Sequence, residues 1–291
     1  MTSELSKLSK QLATVVEQAG RAVVAVHARP RFSSSGVFWK PGVIVTAEHA
    51  IRREEEISVT LPDGKNTAAT LVGSDQGTDI AVLKVESEGV VLPPVAAPAP
   101  GNLALSIGRS ADSGVNATLG AISAVSGEWR TWRGGKLDHY IRLDLTMYPQ
   151  STGAVVVDVE GNAIGIATPA LSRIAGVAIP TATLNRVVEQ ILASGQVARG
   201  YLGVGLQPVE LPDHHKGLIV LSLGENGPAA KAGVLIGDIL TSLGGAAIAD
   251  TEDVQNAVES HGVGQKLAAG LLRGGVAQTI EVTIGERPRR D

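Results

Sequence analysis

The chain has 291 residues, more than one hydrophobic core ordinarily uses, so two domains are expected. Hydrophobic residues make up 44%, charged residues 19%, and the formal net charge is −4, an ordinary globular balance. Basic residues do not cluster into a phosphate-tracking surface, which excludes nucleic acid as an expected partner. The absence of cysteine removes disulfides, thiolate catalysis and Cys-based zinc sites. No apolar run reaches the ~20 residues of a membrane helix, and neither a metal nor a cofactor is expected.

Aromatic residues are only 3%, so the core must be built from Val, Ile, Leu and Ala. With 35 Gly and 14 Pro spread along the chain, many tight turns are expected, which favours β-structure. The first thirty residues lack the compact apolar core and small-residue cleavage site of a signal peptide. As it stands the chain reads as cytoplasmic. Had an export leader been trimmed from it, the same sequence would be periplasmic.

In chain order, Leu5, Leu8, Leu12, Val15 and Val16 fall on one helical stripe, which predicts a helix over 4–18. Its expected role is to dock on its own domain, with an oligomer contact as the alternative. From Ala22 to about Ile166 short β-rich runs alternate with turn residues, among them "AVVAV", "GVIVTA", "DIAVLKV" and "NAIGIAT". Such spacing predicts a barrel or sandwich. The Pro/Ala-rich span 90–102 is too short for a domain linker and is expected to join two halves of one domain.

Leu184, Val187, Val188, Ile191 and Leu192 predict a helix over 181–194, stopped by Gly195. Strand-like sequence restarts after it, so the division expected is a helix at 1–20, a first domain at 21–195, a linker at 196–200 and a second domain at 201–288. Within the second domain, 228–233 and 250–261 read as helices, the latter capped by Asp250 or Thr251.

Three local signals carry the chemistry. "VIVTAEHAI" places His49 at the end of an apolar strand, "GTDIAVLKV" places Asp79 at the mouth of another, and "YPQSTGA" supplies the hydroxyls of Ser151 and Thr152. A lone His or Asp at a strand end is usually structural. The order His, Asp, hydroxyl, each at a strand edge, is the order of a chymotrypsin-type triad.

With these residues in place, the chain resembles the HtrA (Deg) proteases from about residue 10 to 288. "SSGVFWKPGVIVTAEHAI" and "GSDQGTDIAVLKV" are similar to that family's histidine and aspartate strands, and "NGPAAKAGVLIGDILTSLGGAAIADTEDVQNAV" to its PDZ body. The resemblance implies a mainly β protein: a trypsin-like double β-barrel, then an α/β PDZ domain. It further implies polypeptide partners, protein C-termini among them, bound through the PDZ domain, and a homo-oligomer, by family habit a trimer.

The chain departs from the family at the nucleophile turn, which there reads P-G-N-S-G-G-P-L. An ungapped match sets Pro149 on the proline, Gln150 on the first glycine, Thr152 on the serine and Ala154 on the third glycine. Making Ser151 the nucleophile requires a compensating slip on both sides. It also makes Pro149, which has no N–H, the second oxyanion donor. With Thr152 as nucleophile, Gln150 and Thr152 would form the oxyanion hole. Gln150 is then expected to be strained and the Thr152 methyl to crowd the histidine. The expected outcome is an inactive or very weakly active protease homologue acting as a peptide-binding, quality-control or regulatory module. The alternative is a working serine-type endopeptidase degrading unfolded proteins, with His49 as base and Asp79 as its orienter.

Tyr201, Leu202, Gly203 and Val204 resemble the family's carboxylate-binding loop, where successive backbone N–H groups form a nest. Val254, Ala257, Val258 and His261 are candidates for the facing wall, although Val254 and Val258 read equally well as core. His214-His215 and "RREEEIS" are expected to be solvated. Trp129 and Trp132, in the basic loop 128–136, are expected to pack over a barrel end, with an exposed partner contact as the alternative.

Overall fold

A computed structural model describes residues 3–30, 32–53, 55–94, 97–197, 200–211 and 214–286. The chain divides into two compact units, Met1–Val197 and Ala198–Asp291.

The first unit opens with α1 (Glu4–Ala19), whose N-cap Ser3 accepts a hydrogen bond from the Ser6 amide. Six strands then close into a barrel: β1 (Val23–His27), β2 (Ser34–Lys40), β3 (Val43–Ala47), β4 (Ser58–Thr60), β5 (Asn66–Asp75) and β6 (Ile80–Val85). Their order around it is β1-β2-β3-β6-β5-β4. After 86–102, β7 (Leu103–Ser110) and β8 (Gly114–Ser126) begin a second barrel. A short hairpin, β9 (Trp129–Arg130) and β10 (Lys136–Leu137), interrupts it. Then β11 (Tyr140–Asp144), β12 (Val155–Val157), β13 (Ala163–Thr168) and β14 (Gly176–Pro180) complete it in the order β11-β14-β13-β12-β7-β8.

The residue pattern explains why several strands are apolar throughout. In β3, Ile44 enters the interior of the first barrel with Val24, Phe38 and Leu83. Its neighbours Val43 and Val45 face the opposite way, joining Leu105, Ile107, Val155 and Ile166 in a core shared by both barrels. A strand buried on both faces loses the polar half of its alternation. Ile122, Ile141, Val156 and Ile164 fill the second barrel.

Helix α2 (Thr181–Ser194) seals the shared core with Leu184, Val187, Val188 and Ile191, each with no exposed surface. Burying such side chains is worth about 1.5–3 kcal/mol apiece. Gly195 ends the helix with φ 76°, the left-handed conformation that glycine adopts without strain.

In the second unit, β16 (Val204–Glu210), β17 (Lys216–Leu223), β18 (Ile239–Leu243), β20 (Lys266–Arg273) and β21 (Val276–Thr283) form one antiparallel sheet in that order. The short β19 (Ala246–Ala247) pairs with β18, while β15 (Gly200–Tyr201) pairs with β22 (Gly285–Glu286). Helices α3 (Pro228–Lys231) and α4 (Thr251–His261) complete it. Asp250 caps α4 by accepting from the Glu252 and Asp253 amides, while Asp253 reaches back to the Asp250 amide. Leu218, Val220, Leu243, Val258 and Leu271 belong to the core of this unit.

Among the described residues no helix is long and apolar enough to cross a membrane, and no cluster of three metal-ligating side chains occurs.

Candidate active site and peptide groove

His49 lies in a short 3-10 turn, Glu48–Ala50, at the end of β3. Asp79 directly precedes β6, which pairs with β3 through Ala47 and Ile80, so the sheet register brings the two together. The His49 Nδ1 lies 2.9 Å and 2.8 Å from the two Asp79 carboxylate oxygens, and the His49 amide donates to Oδ1 at 2.9 Å. An Nδ1–H donating to the carboxylate is the tautomer that, in a neutral ring, leaves Nε2 as the acceptor.

Asp79 is fully buried with φ 59°, a conformation Asp tolerates better than most residues. A third donor to its carboxylate is the hydroxyl of Thr168, at the end of β13. Nothing in "NAIGIAT" marks its last residue, because its partner lies 89 positions away.

The loop between β9 and β10 packs on residues that neighbour this dyad. The Thr131 hydroxyl donates to Gly77 O at 2.7 Å, and Arg133 lies 3.8 Å from Glu48. Burial first, then the nearby Asp79 carboxylate, push the Glu48 carboxyl above its usual range, with Arg133 and His49 opposing. The two tryptophans part company. Trp129 packs edge-on against Tyr140 with ring centroids 4.9 Å apart, as the packing expectation required. Trp132 is 64% exposed, contrary to it, because its ring stands outside the hairpin under the Arg133 guanidinium.

The hydroxyl-bearing turn, Pro149–Ser151, is a 3-10 turn followed by Thr152. It is held between the barrels. Ser35 of β2 accepts from the Arg109 amide of β7 at 2.9 Å and donates from its hydroxyl to Gln150 O at 2.5 Å. The Ser35 amide donates to Thr152 O at 2.9 Å. Gly153, with φ 75°, presses against this strand so closely that a Cβ would sit 2.3 Å from Ser35 O. Only glycine fits immediately after Thr152.

Within the turn, the Ser151 amide donates to Tyr148 O at 2.8 Å and the Thr152 amide to Pro149 O at 3.4 Å. Ser151 and Thr152 are both buried, 2% and 4% exposed. Among the described residues, no hydrogen bond joins the His49 ring to either hydroxyl. The strain expected at Gln150 is absent. Among the described residues, the non-glycine residues with positive φ are Glu56, Asp79, His214 and Asn226, and Gln150 keeps a negative φ. The turn has instead closed on itself, using the Thr152 N–H internally.

In the second unit, β16 is an edge strand that among the described residues bonds only to β17, with α4 packed beside it. Gly203 turns the chain into β16 with φ 75°, and its carbonyl accepts from the Gly224 amide at 2.8 Å. The Leu202 carbonyl likewise accepts from Ala229 at 2.9 Å. Among the described residues, the N–H groups of Leu202 and Gly203 donate to no protein acceptor. Val254, Ala257 and Val258 belong to the core of the unit, while His261 at the end of α4 is exposed and bonded by Nδ1 to Ala257 O at 2.8 Å. His214, exposed, pairs with Glu210 at 2.8 Å.

Two closed six-stranded barrels with a His–Asp pair at their junction define the trypsin-like class of peptidase fold, here carrying a PDZ domain. Residues 34–166 match the Trypsin-like peptidase domain model and 200–284 the PDZ domain model. The chain belongs to the HtrA family of trypsin-like serine proteases with a PDZ domain.

It is 33% identical over 280 residues to the "Probable periplasmic serine endoprotease DegP-like" of Brucella suis, covering 90% of this chain and 54% of the relative. It is 30% identical to "Protease Do-like 1, chloroplastic" of Arabidopsis thaliana, covering 89% and 65%. The chain thus spans about half the length of the bacterial relatives it matches. Among solved structures, the serine endoprotease from Yersinia pestis superposes with TM-score 0.79 at 31% identity, covering 95% of this chain and 98% of that one. The HtrA-type protease AlgW with decapeptide gives 0.78 at 28% identity, covering 96% and 99%.

Proposed function

We propose that this chain is an HtrA-type protease homologue of little or no proteolytic activity that works by binding polypeptides. The observation that carries the reading is the closed turn at Gln150–Thr152. An oxyanion is stabilised by N–H groups aimed at one point, and removing one such donor costs about 10²–10³ in rate. Here the Thr152 N–H is directed at Pro149 O instead. Threonine is also a poor internal nucleophile, since working threonines use their own terminal amine as base. The assignment proposed is Thr152 at the nucleophile position, with Ser151 as the alternative and Gln150 and Thr152 as oxyanion donors.

The binding function is assigned to Tyr201–Val204 and the free edge of β16. Two unused amides beside an edge strand suit a terminal carboxylate followed by an extended peptide. The bound decapeptide of AlgW agrees in kind. A homo-oligomer is proposed, with α1 offering Leu5 and Leu8, 77% and 40% exposed. A periplasmic setting accords with the names of the bacterial relatives, and nothing in the comparisons favours a cytoplasmic one.

One observation favours the second reading, an active endopeptidase degrading unfolded proteins: the His49–Asp79–Thr168 network is complete. Incubation with casein and with a fluorophosphonate probe separates the two. No cleavage and no labelling is the expected result. Brisk cleavage lost on Thr152→Ala overturns the proposal.

A further inference from the structure

The closed turn has two separable departures from the family sequence, Thr152 and Gln150, and only the second concerns backbone conformation. Tyr148 O and the Ser151 amide enclose Pro149 and Gln150 as the central residues of a β-turn. With Gln150 at negative φ this is the type I arrangement, continued by the bond from Thr152 to Pro149 O. Freeing the Thr152 N–H requires the Pro149 carbonyl to swing away, and that carbonyl belongs to the Pro149–Gln150 peptide plane. Rotating that plane converts the turn to type II, in which the second central residue must take positive φ. Proline suits the first central position of both types. Glycine suits the second position of type II, and glutamine does not.

The surroundings prevent the rotation from being shared. Ser35 bonds Gln150 O with its hydroxyl and Thr152 O with its amide, so the peptides on the far side of the rotating one are fixed to β2. Gly108 of β7 leaves no slack, since a Cβ there would lie 3.0 Å from Gln150 O. The change is therefore confined to ψ of Pro149, which proline accommodates in both turn types, and φ of residue 150, where a Cβ makes it costly.

We propose that Gln150 is the positioning residue that holds the anion-binding corner closed, independently of which hydroxyl stands at 152. It acts through backbone conformation, so alanine at 150 does the same and glycine releases it. The Thr152 side chain governs the nucleophile and Gln150 governs the donors. Repairing the hydroxyl therefore leaves the corner shut. The proposal rests on reading the Gln150 and Thr152 amides as the corner of a hydrolase site.

Crystal structures of full-length Gln150→Gly and Gln150→Ala test it directly. In the glycine variant Pro149 O should point away from the Thr152 amide, and in the alanine variant the 3-10 turn should persist. Fluorophosphonate labelling is then measured in a Thr152→Ser background. Adding Gln150→Gly should raise the rate about 10²–10³, and adding Gln150→Ala should leave it nearly unchanged. A turn that stays closed in Gln150→Gly, or opens equally in Gln150→Ala, overturns the proposal. An open turn in the glycine variant with no labelling of any variant upholds the lock and defeats the hydrolase-corner reading instead.

Discussion

The hydroxyl of Thr168 donates to the Asp79 carboxylate oxygen that also faces His49 Nδ1, which ties the second barrel to the acidic residue of the first. Asp79 has no exposed surface, so its carboxylate depends on protein donors, among them the His49 ring and amide and the Thr168 hydroxyl. Leaving a buried acceptor one donor short costs about 1–3 kcal/mol. Thr168→Val should lower stability by that amount in urea unfolding, and Thr168→Ser should retain most of it. Equal stability of all three proteins would show that the bond is dispensable.

Proteolysis should be negligible in the native chain. Thr152→Ser removes the β-methyl but leaves the turn closed, so casein cleavage should rise only slightly. Thr152→Ser with Gln150→Gly should gain about 10²–10³ over the single change, and His49→Ala should abolish the gain. The third family glycine adds little to this expectation, because Ala154 keeps a negative φ and its amide already bonds Ser151 O at 3.1 Å. Rapid cleavage by the unmodified chain would contradict this ordering.

Peptides with a free C-terminal carboxylate and an apolar last residue should bind the full-length chain through the Leu202 and Gly203 amides. Charged hydrogen bonds are worth about 1.5–3 kcal/mol, so amidating the peptide should weaken binding by about tenfold or more. Fluorescence polarisation with acid and amide forms of one peptide measures this. Equal affinities would remove the carboxylate role from Tyr201–Val204.

The PDZ unit should lose stability in acid. Arg273 donates from Nε and Nη2 to the two Asp238 oxygens at 2.8 Å and 2.7 Å, and the Leu235 amide adds a third bond at 2.8 Å. The hydrogen bonds from Arg273, before any other cause, hold the Asp238 carboxyl below its usual range. A carboxylate depressed in the folded state stabilises fully above its unfolded value of about 3.9, and that contribution fades as pH falls through the folded value. The urea midpoint should therefore drop below about pH 4, and Asp238→Asn should flatten the dependence. An unchanged pH profile in Asp238→Asn would refute the assignment.

The sequence by itself determined the class of fold and the order of the chemistry. Short apolar runs, turn residues and the succession of His49, Asp79 and Thr152 are local signals, legible because each strand carries its own pattern. The helices were legible too, since Leu184 through Ile191 and the Asp250 cap act over a few residues. Tertiary structure alone decided the rest. Thr168 joined the site from a distant strand, Trp132 was left exposed while Trp129 packed half-buried against Tyr140, and Val254, Ala257 and Val258 turned to the core. The strain foreseen at Gln150 took the form of a closed turn instead. Whether a backbone is strained depends on which conformation its neighbours allow, and Ser35, Gly108 and Gly153 lie on other strands or beyond the turn. Contacts of that kind have no local pattern to read.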